Sequence, residues 1–105
     1  MKWLEPWCSI DNHDAQFHQS FRKQLEREVA PGHVMYGLPA RLIARGNGDD
    51  ALFKIEDGSD RVAEVHLTWA KGQETLPRPR TVIYSSLEAW AEQSMRPEHE
   101  EWKAE

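Results

Sequence analysis

Residues 61–69, with the sequence RVAEVHLTW, decide the fold of this chain. One set of alternate positions is apolar: Ala63, Val65, Leu67 and Trp69. The other set is mainly polar: Val62, Glu64, His66 and Thr68. Alternation with a period of two is typical of a strand that buries one face. We therefore predict a central strand whose polar face is the first place to look for function.

Size and charge limit the class of protein. A chain of 105 residues is one domain, and its net charge of −5 is uneven. Residues 88–105 hold six acidic residues against two basic ones, a net of −4, so the body is nearly neutral. The sequence has no stripe of basic residues that would predict nucleic-acid binding. It also has no apolar run that would predict a membrane span or a signal peptide. With a single cysteine, Cys8, we expect a cytoplasmic protein without nucleic-acid or membrane partners.

The N-terminal third predicts an arm and a helix. Residues 1–10 contain Pro6 and favour an extended arm across the body, with Trp3 or Trp7 as a plug. Apolar residues then recur every four positions and predict a buried helix face: Phe17, Phe21, Leu25 and Val29. The capping residue is one of three: Asp11, Asn12 or Asp14. The Pro31-Gly32 pair ends the helix.

The remainder predicts an antiparallel meander followed by a second helix. Turn signals separate four strands: residues 41–45, 51–56, 61–69 and 81–84. The spacing of Ser85 and Glu88 is that of a capping box, so a helix starts there. Its inward positions are Leu87, Trp90, Ala91 and Met95. Because Pro97 ends this helix, we predict a single domain over residues 1–97 and an acidic, frayed tail over residues 98–105.

The order helix, four antiparallel strands, helix predicts an α+β fold. We expect a two-layer sandwich in which both helices cover one face of the meander. We expect an odd-length loop with a bulge between the strands at residues 51–56 and 61–69. This loop puts Phe53 opposite Val65 and Asp50 opposite Thr68. The polar face of the sheet is left open to solvent.

Five side chains meet on that polar face in the predicted register. Asp50 lies opposite Thr68, His66 is its diagonal neighbour, and Asp49 and Glu64 are close by. A carboxylate beside an imidazole orients the ring and raises its basicity. His66, Asp50 and Thr68 are therefore the catalytic candidates, and all five residues are candidates for binding a partner.

A metal site is an alternative use of the same residues. His66 and Asp50 would be ligands, and His33 or Glu74 could complete the set. The GNGDD turn at residues 46–50 is similar to a calcium loop but lacks its other spaced ligands. A histidine on a solvated sheet face is most often only a surface hydrogen-bonding residue. We therefore expect no cofactor and keep the metal site as an alternative.

No motif in the sequence defines an enzyme. No serine or cysteine stands in a nucleophile motif, and the chain contains no HExxH, P-loop or GxGxxG pattern. The sequence leaves the enzyme question open and favours a protein without catalytic activity. Trp69 shares a face with Val65 and Leu67, which predicts a core position; a bulge that turned it outward would make it a recognition residue.

Four segments occur in a specific order: LEPW at residues 4–7, GH at 32–33, DDALF at 49–53 and VHLTW at 65–69. Together they resemble an uncharacterised family of small bacterial proteins of about this length. In that family the loop after the central strand carries a tryptophan between two prolines, where this chain has Arg78. The resemblance implies a bacterial origin and a self-contained domain, and it implies no activity.

Three functional hypotheses remain. The first is a small cytoplasmic binding or accessory protein, adaptor-like or immunity-like, that uses the polar sheet face; five tryptophans and the incomplete catalytic set favour it. The alternative is a small hydrolase or metal-dependent enzyme built on His66, Asp50 and Thr68, which requires these side chains to converge in a concave pocket. The third is a homodimer through an unpaired edge strand, either residues 41–45 or residues 81–84.

Overall fold

The computed structural model describes residues 1–104 and contains one antiparallel sheet of five strands in chain order. The strands are β1 (Cys8–Ser9), β2 (Ala40–Arg45), β3 (Asp50–Ile55), β4 (Val62–His66) and β5 (Arg80–Tyr84). The predicted α+β class is confirmed. The predicted four-stranded meander corresponds to β2–β5, and the N-terminal arm adds a fifth strand because β1 pairs with the end of β2.

Helix α1 (Ala15–Glu28) covers one face of the sheet. Asp14 caps it, since its Oδ1 accepts the N–H of Phe17 at 2.9 Å. Phe21 and Leu25 are buried, and burial of each such side chain contributes about 1.5–3 kcal/mol. They pack against strand residues that are 0% exposed: Leu42, Ala51, Phe53, Ala63 and Val65.

The opposite face of the sheet is covered by the C-terminal helix, residues 87–104. This helix comprises α2 (Leu87–Trp90), a π-helical turn (Ala91–Met95) and α3 (Arg96–Ala104). Trp90 packs there with Trp7 of the N-terminal arm and with the strand residues Leu52 and Val62. The indole rings of Trp7 and Trp90 meet edge to face, with centroids 5.0 Å apart.

The predicted two-layer sandwich is therefore wrong, because the sheet is the middle of three layers. Leu52 and Val62 interrupt the polar face of β3 and β4, and both are 0% exposed. An apolar patch on the second face of a sheet is stable only when another element removes it from water. Trp90 of the C-terminal helix covers Leu52 and Val62 in this way.

Pro97 does not end the C-terminal helix. A proline lacks the N–H of an ordinary helical bond, which would normally break the ladder. The preceding turn has π geometry, in which the N–H of Arg96 bonds to the carbonyl of Ala91. Such a wider turn accommodates the missing donor and lets the helix continue.

The segment predicted as a frayed tail is helical over residues 98–104. Trp7 Nε1 donates to Glu98 Oε1 at 2.8 Å, and His99 Nδ1 donates to a backbone carbonyl of the same N-terminal arm at 2.7 Å. Glu105, the last residue of the predicted tail, lies outside the described residues. Within residues 1–104, no helix combines the length and apolar character needed to cross a membrane.

The register of the sheet also differs from the predicted one. Phe53 lies opposite Ala63 rather than Val65, and Asp50 lies opposite His66 rather than Thr68. The loop between β3 and β4 sets this pairing, because the N–H of Ile55 donates to the carbonyl of Arg61 at 3.1 Å. The small side chain of Ala63 leaves room for the Phe53 ring, which close packing requires.

Candidate functional site

Asp50 and His66 lie side by side at one end of the sheet. Asp50 begins β3, His66 ends β4, and the Asp50 Oδ1 atom lies 2.7 Å from His66 Nδ1. The two side chains are 23% and 50% exposed. A carboxylate at Nδ1 fixes the orientation of the imidazole and leaves Nε2 as the nitrogen available to another group. Of the predicted cluster, this is the pair that the structure brings together.

Thr68 belongs to a different contact, centred on Glu28 at the end of α1. Glu28 is 0% exposed, and its Oε1 accepts the backbone N–H of Thr68 at 2.8 Å and the Thr68 hydroxyl at 3.0 Å. Its Oε2 accepts the N–H of Trp69 at 2.8 Å and Gln24 Nε2 at 2.7 Å. A buried carboxylate is stable only when donors of this kind satisfy its oxygens. Glu28 therefore fixes the backbone just beyond β4.

Trp69 is presented to solvent by this contact. Its φ of 58° is in the left-handed region, which costs a non-glycine residue of order 1–3 kcal/mol. The indole meets the ring of Phe21 edge to face, with centroids 5.1 Å apart, and the residue remains 43% exposed. The predicted core position of Trp69 is wrong, because the backbone turns after Leu67 and ends the alternation of the strand.

Glu64 and Asp49, the other two predicted binding residues, occupy different environments. Glu64 lies beneath the C-terminal helix, where its Oε1 accepts Trp90 Nε1 at 2.7 Å and the Ser94 hydroxyl at 2.5 Å. Glu64 thus serves the packing of that helix. Asp49 is exposed beside β3, and its backbone carbonyl accepts the N–H of Leu67 at 3.2 Å.

His33, a candidate metal ligand, is 8% exposed and uses both ring nitrogens within the fold. Its Nε2 donates to the carbonyl of Pro79 at 2.8 Å, and its Nδ1 accepts the N–H of Met35 at 3.0 Å. The backbone N–H of Glu74 donates to the carbonyl of Glu28 at 2.9 Å. Among residues 1–104, no group of three His, Cys, Asp or Glu side chains is placed to hold a metal ion.

The Asp50–His66 pair is partly exposed to solvent. Three concavities in the described part of the chain have volumes of about 490, 560 and 420 Å³, and neither residue lines any of them. Active sites are generally concave, because catalysis needs a substrate surrounded by positioned groups. The enzyme hypothesis requires Asp50 and His66 to line a concave pocket, and these three concavities do not include them.

Sequence reasoning missed Glu28 and Gln24. Glu28 stands seven residues after Phe21 and three after Leu25, so helical periodicity places it beside the buried stripe of α1. An acidic residue at such a position is a signal for a buried contact. Its partners could not be read from the sequence, because they lie 40 residues further along the chain.

The Glu98 carboxyl, which lies near Asp50, has a raised pKa. Burial raises the pKa of Glu98 above its ordinary value of 4.5, the hydrogen bond from Trp7 opposes this, and the negative charges of Glu64, Asp50 and Glu101 reinforce it. A carboxyl with a raised pKa in the folded state binds its proton more tightly there than in the unfolded chain. The free energy of unfolding therefore falls as the pH rises from the pKa of Glu98 in the unfolded chain through its raised pKa in the folded protein.

We expect Glu98→Gln to raise the melting temperature at neutral pH. The amide oxygen can still accept from Trp7, and the variant carries no charge to be buried beside Glu64 and Asp50. Melting curves near pH 4 should show little difference from wild type, and the difference should grow towards about pH 7. Glu100→Gln, at an exposed position on the same helix, is the matched control, because Glu100 is not among the charges that raise the pKa of Glu98. A lower melting temperature for Glu98→Gln than for the control at neutral pH would contradict this account.

No protein-family model, curated protein or solved structure matches this chain. The resemblance to the family of small bacterial proteins stays a prediction.

Proposed function

We propose that the protein is a small protein-binding module, adaptor-like or immunity-like, whose contact surface is one end of the sheet. We define this sheet-end surface as Asp49, Asp50, His66 and Trp69. The observation that carries the proposal is Trp69, an exposed tryptophan held in a strained backbone conformation by the buried carboxylate of Glu28. Strain that the surrounding structure maintains at an exposed residue is typical of functional positions.

The Glu28 contact makes Trp69 a pre-organised anchor. Gln24 Nε2 also donates to the carbonyl of Ala70 at 2.9 Å, so the backbone on both sides of Trp69 is fixed to α1. A fixed tryptophan loses little conformational freedom on binding and offers a large apolar area to a partner. Residues of this kind carry a large share of the energy of protein interfaces.

The Asp50–His66 pair supplies polar groups at the same end of the sheet. His66 precedes Trp69 by three residues, so their Cα atoms lie within about 10 Å of each other. An apolar anchor beside hydrogen-bonding groups is the usual composition of an interface. The sheet-end surface replaces the predicted polar sheet face, since the C-terminal helix covers Glu64.

The alternative of a hydrolase has less support. It requires Thr68 beside His66 and Asp50, and the Thr68 hydroxyl is bonded to Glu28 instead. The pair without Thr68 offers a base and an orienting carboxylate but no nucleophile, and neither residue lines any of the three concavities. We therefore propose binding as the function of this surface.

The test is quantitative capture of partners from a lysate of cells that naturally produce the protein. Wild type is compared with Trp69→Asn and with Trp102→Ala, which removes a tryptophan of nearly equal exposure, 41% against 43%. Asparagine tolerates the left-handed region, so Trp69→Asn keeps the loop while it removes the indole. We expect a partner that binds wild type and Trp102→Ala equally and is reduced at least about tenfold with Trp69→Asn.

Melting temperatures of the three proteins are measured alongside, so that loss of binding is separated from loss of folding. Capture of the same partners by Trp69→Asn at wild-type levels would remove Trp69 from the contact surface. Absence of any enriched partner after cross-linking would count against the binding function itself.

A further inference from the structure

Strand β5 is the open edge of the sheet. The prediction that residues 41–45 form an unpaired edge is wrong, because β2 pairs with β1 on one side and with β3 on the other. β5 pairs with β4 alone, and no other strand of residues 1–104 lies along its outer side. An unpaired strand presents a row of backbone donors and acceptors to any strand that can align with it.

The hydrogen-bonding pattern identifies which groups point outward. Ile55 and Leu67 donate across the β3–β4 pair to Arg61 and Asp49, so the odd-numbered residues of β4 bond to β3. In an antiparallel ladder the bonded residues alternate, so the even-numbered residues of β4 bond to β5. Their partners in β5 are Arg80, Val82 and Tyr84. The N–H and C=O groups of Thr81 and Ile83 therefore point away from the sheet.

This edge has little of the usual protection against pairing. Natural edges are blocked by charged side chains, by proline within the strand or by a bulge; β5, with the sequence RTVIY, has no proline and no bulge, and its one charge, Arg80, is at the end of the strand. Val82, at the middle of the strand, is 49% exposed. The opposite edge, β1, is only two residues long, so β5 is the edge that offers a full strand to a partner.

We propose that β5 pairs antiparallel with β5 of a second copy, with a two-fold axis at Val82, to form a continuous ten-stranded sheet. In this register Thr81 of each copy lies opposite Ile83 of the other. Each of these pairs exchanges both backbone hydrogen bonds, so all the outward groups of Thr81 and Ile83 are satisfied. The inference is independent of the sheet-end surface.

The side chains of the strand are complementary to themselves in this register. Val82 meets Val82 of the second copy, which covers the most exposed apolar side chain of the strand. Arg80 lies opposite Tyr84 of the second copy, where a guanidinium can stack on a phenol ring. The single cation of each strand therefore never faces its equivalent, so no like charges oppose pairing.

Neighbouring registers satisfy fewer groups. An axis at Thr81 would put Ile83 opposite Pro79, which has no N–H to donate. An axis at Ile83 would put Thr81 opposite Ser85, where the chain bends out of the strand towards the helix cap at Ser86. A five-residue edge is smaller than a permanent interface, so we expect a reversible dimer.

Site-specific cross-linking tests both the pairing and its register. Residues at the axis form a non-hydrogen-bonded pair with Cα atoms about 4.5 Å apart, which suits a disulfide. In a Cys8→Ser background, Val82→Cys is compared with Val34→Cys, which places the thiol at another exposed valine, 60% exposed. Under mild oxidation of the purified full-length chain, we expect covalent dimer to form at least about tenfold faster at position 82.

A second variant tests the proposal without relying on disulfide formation. Val82→Lys would place two ammonium groups opposite each other, so sedimentation equilibrium should show at least about a tenfold weaker dimer than for wild type. Val82→Thr, which keeps strand propensity, should dimerise like wild type. Equal cross-linking at positions 82 and 34, or a wild type that stays monomeric at millimolar concentration, would overturn the proposal.

Discussion

Replacing Glu28 by alanine is expected to lower the free energy of unfolding by about 3–5 kcal/mol. The carboxylate is 0% exposed and accepts four hydrogen bonds, from the N–H and hydroxyl of Thr68, the N–H of Trp69 and the side chain of Gln24. Alanine would leave these donors without an acceptor, and each unsatisfied buried group costs about 1–3 kcal/mol. The loss should also release Trp69 from its strained conformation, because Glu28 maintains it.

Two variants separate the charge from the shape. Glu28→Gln keeps the volume but presents an amide NH₂ to donors on one side, so we expect a loss of about 2–3 kcal/mol. Glu26→Gln on the exposed side of the same helix is the control, because its ion pair with Arg22 joins side chains that are 64% and 55% exposed. Such pairs contribute little, and the control should change stability by less than about 0.5 kcal/mol. Urea unfolding of the purified proteins measures all three, and a loss for Glu28→Ala as small as that of the control would contradict this description of the contact.

The second large effect is expected for Trp90→Ala, with a loss of about 3–5 kcal/mol in the free energy of unfolding. Trp90 is 0% exposed and packs between the rings of Trp3 and Trp7 and the sheet. Its removal would leave a cavity in the layer under the C-terminal helix and leave the Glu64 carboxylate without its indole donor. The near-ultraviolet circular dichroism signal should weaken strongly, since Trp90 contacts the indole rings of both Trp3 and Trp7.

Trp90→Phe and Trp102→Ala make this prediction specific. Phenylalanine keeps part of the ring volume but cannot donate to Glu64, so we expect a loss intermediate between that of alanine and wild type. Trp102 is 41% exposed on the same helix, and its removal should cost less than about 0.5 kcal/mol. If Trp90→Ala were no more costly than Trp102→Ala, the C-terminal helix would not form a core layer.

The candidate site shows where sequence reasoning succeeded and where it failed. The pairing of Asp50 with His66 follows from two strands that an alternating pattern makes visible, although the register was wrong by two residues. Thr68 was misplaced because the sequence gives no sign that the strand ends at His66. Trp69 was misplaced for the same reason. The alternation of apolar and polar residues continues through Trp69 in the sequence, whereas its left-handed backbone conformation ends the alternation of side-chain directions. Its conformation depends on Glu28, which is distant in the chain.

The sequence by itself determined the four strands of the meander, the start of both helices and the buried face of α1. Periods of two and of about four in hydrophobicity are local properties, and they identified the four strands of the meander and the stripe on the first helix. The α+β class followed from the order of these elements.

Only the tertiary structure decided which layers cover the sheet, how the strands align and which residues stand at its end. The C-terminal helix crosses to the second face because Leu52 and Val62 must be covered, and a single pattern of alternation does not distinguish that face from a solvated one. The exposed Trp69 and the buried Glu28 depend on one contact between residues 41 positions apart. Hydrogen bonds of this range are fixed by the packing of whole elements against one another, which no local stretch of sequence specifies.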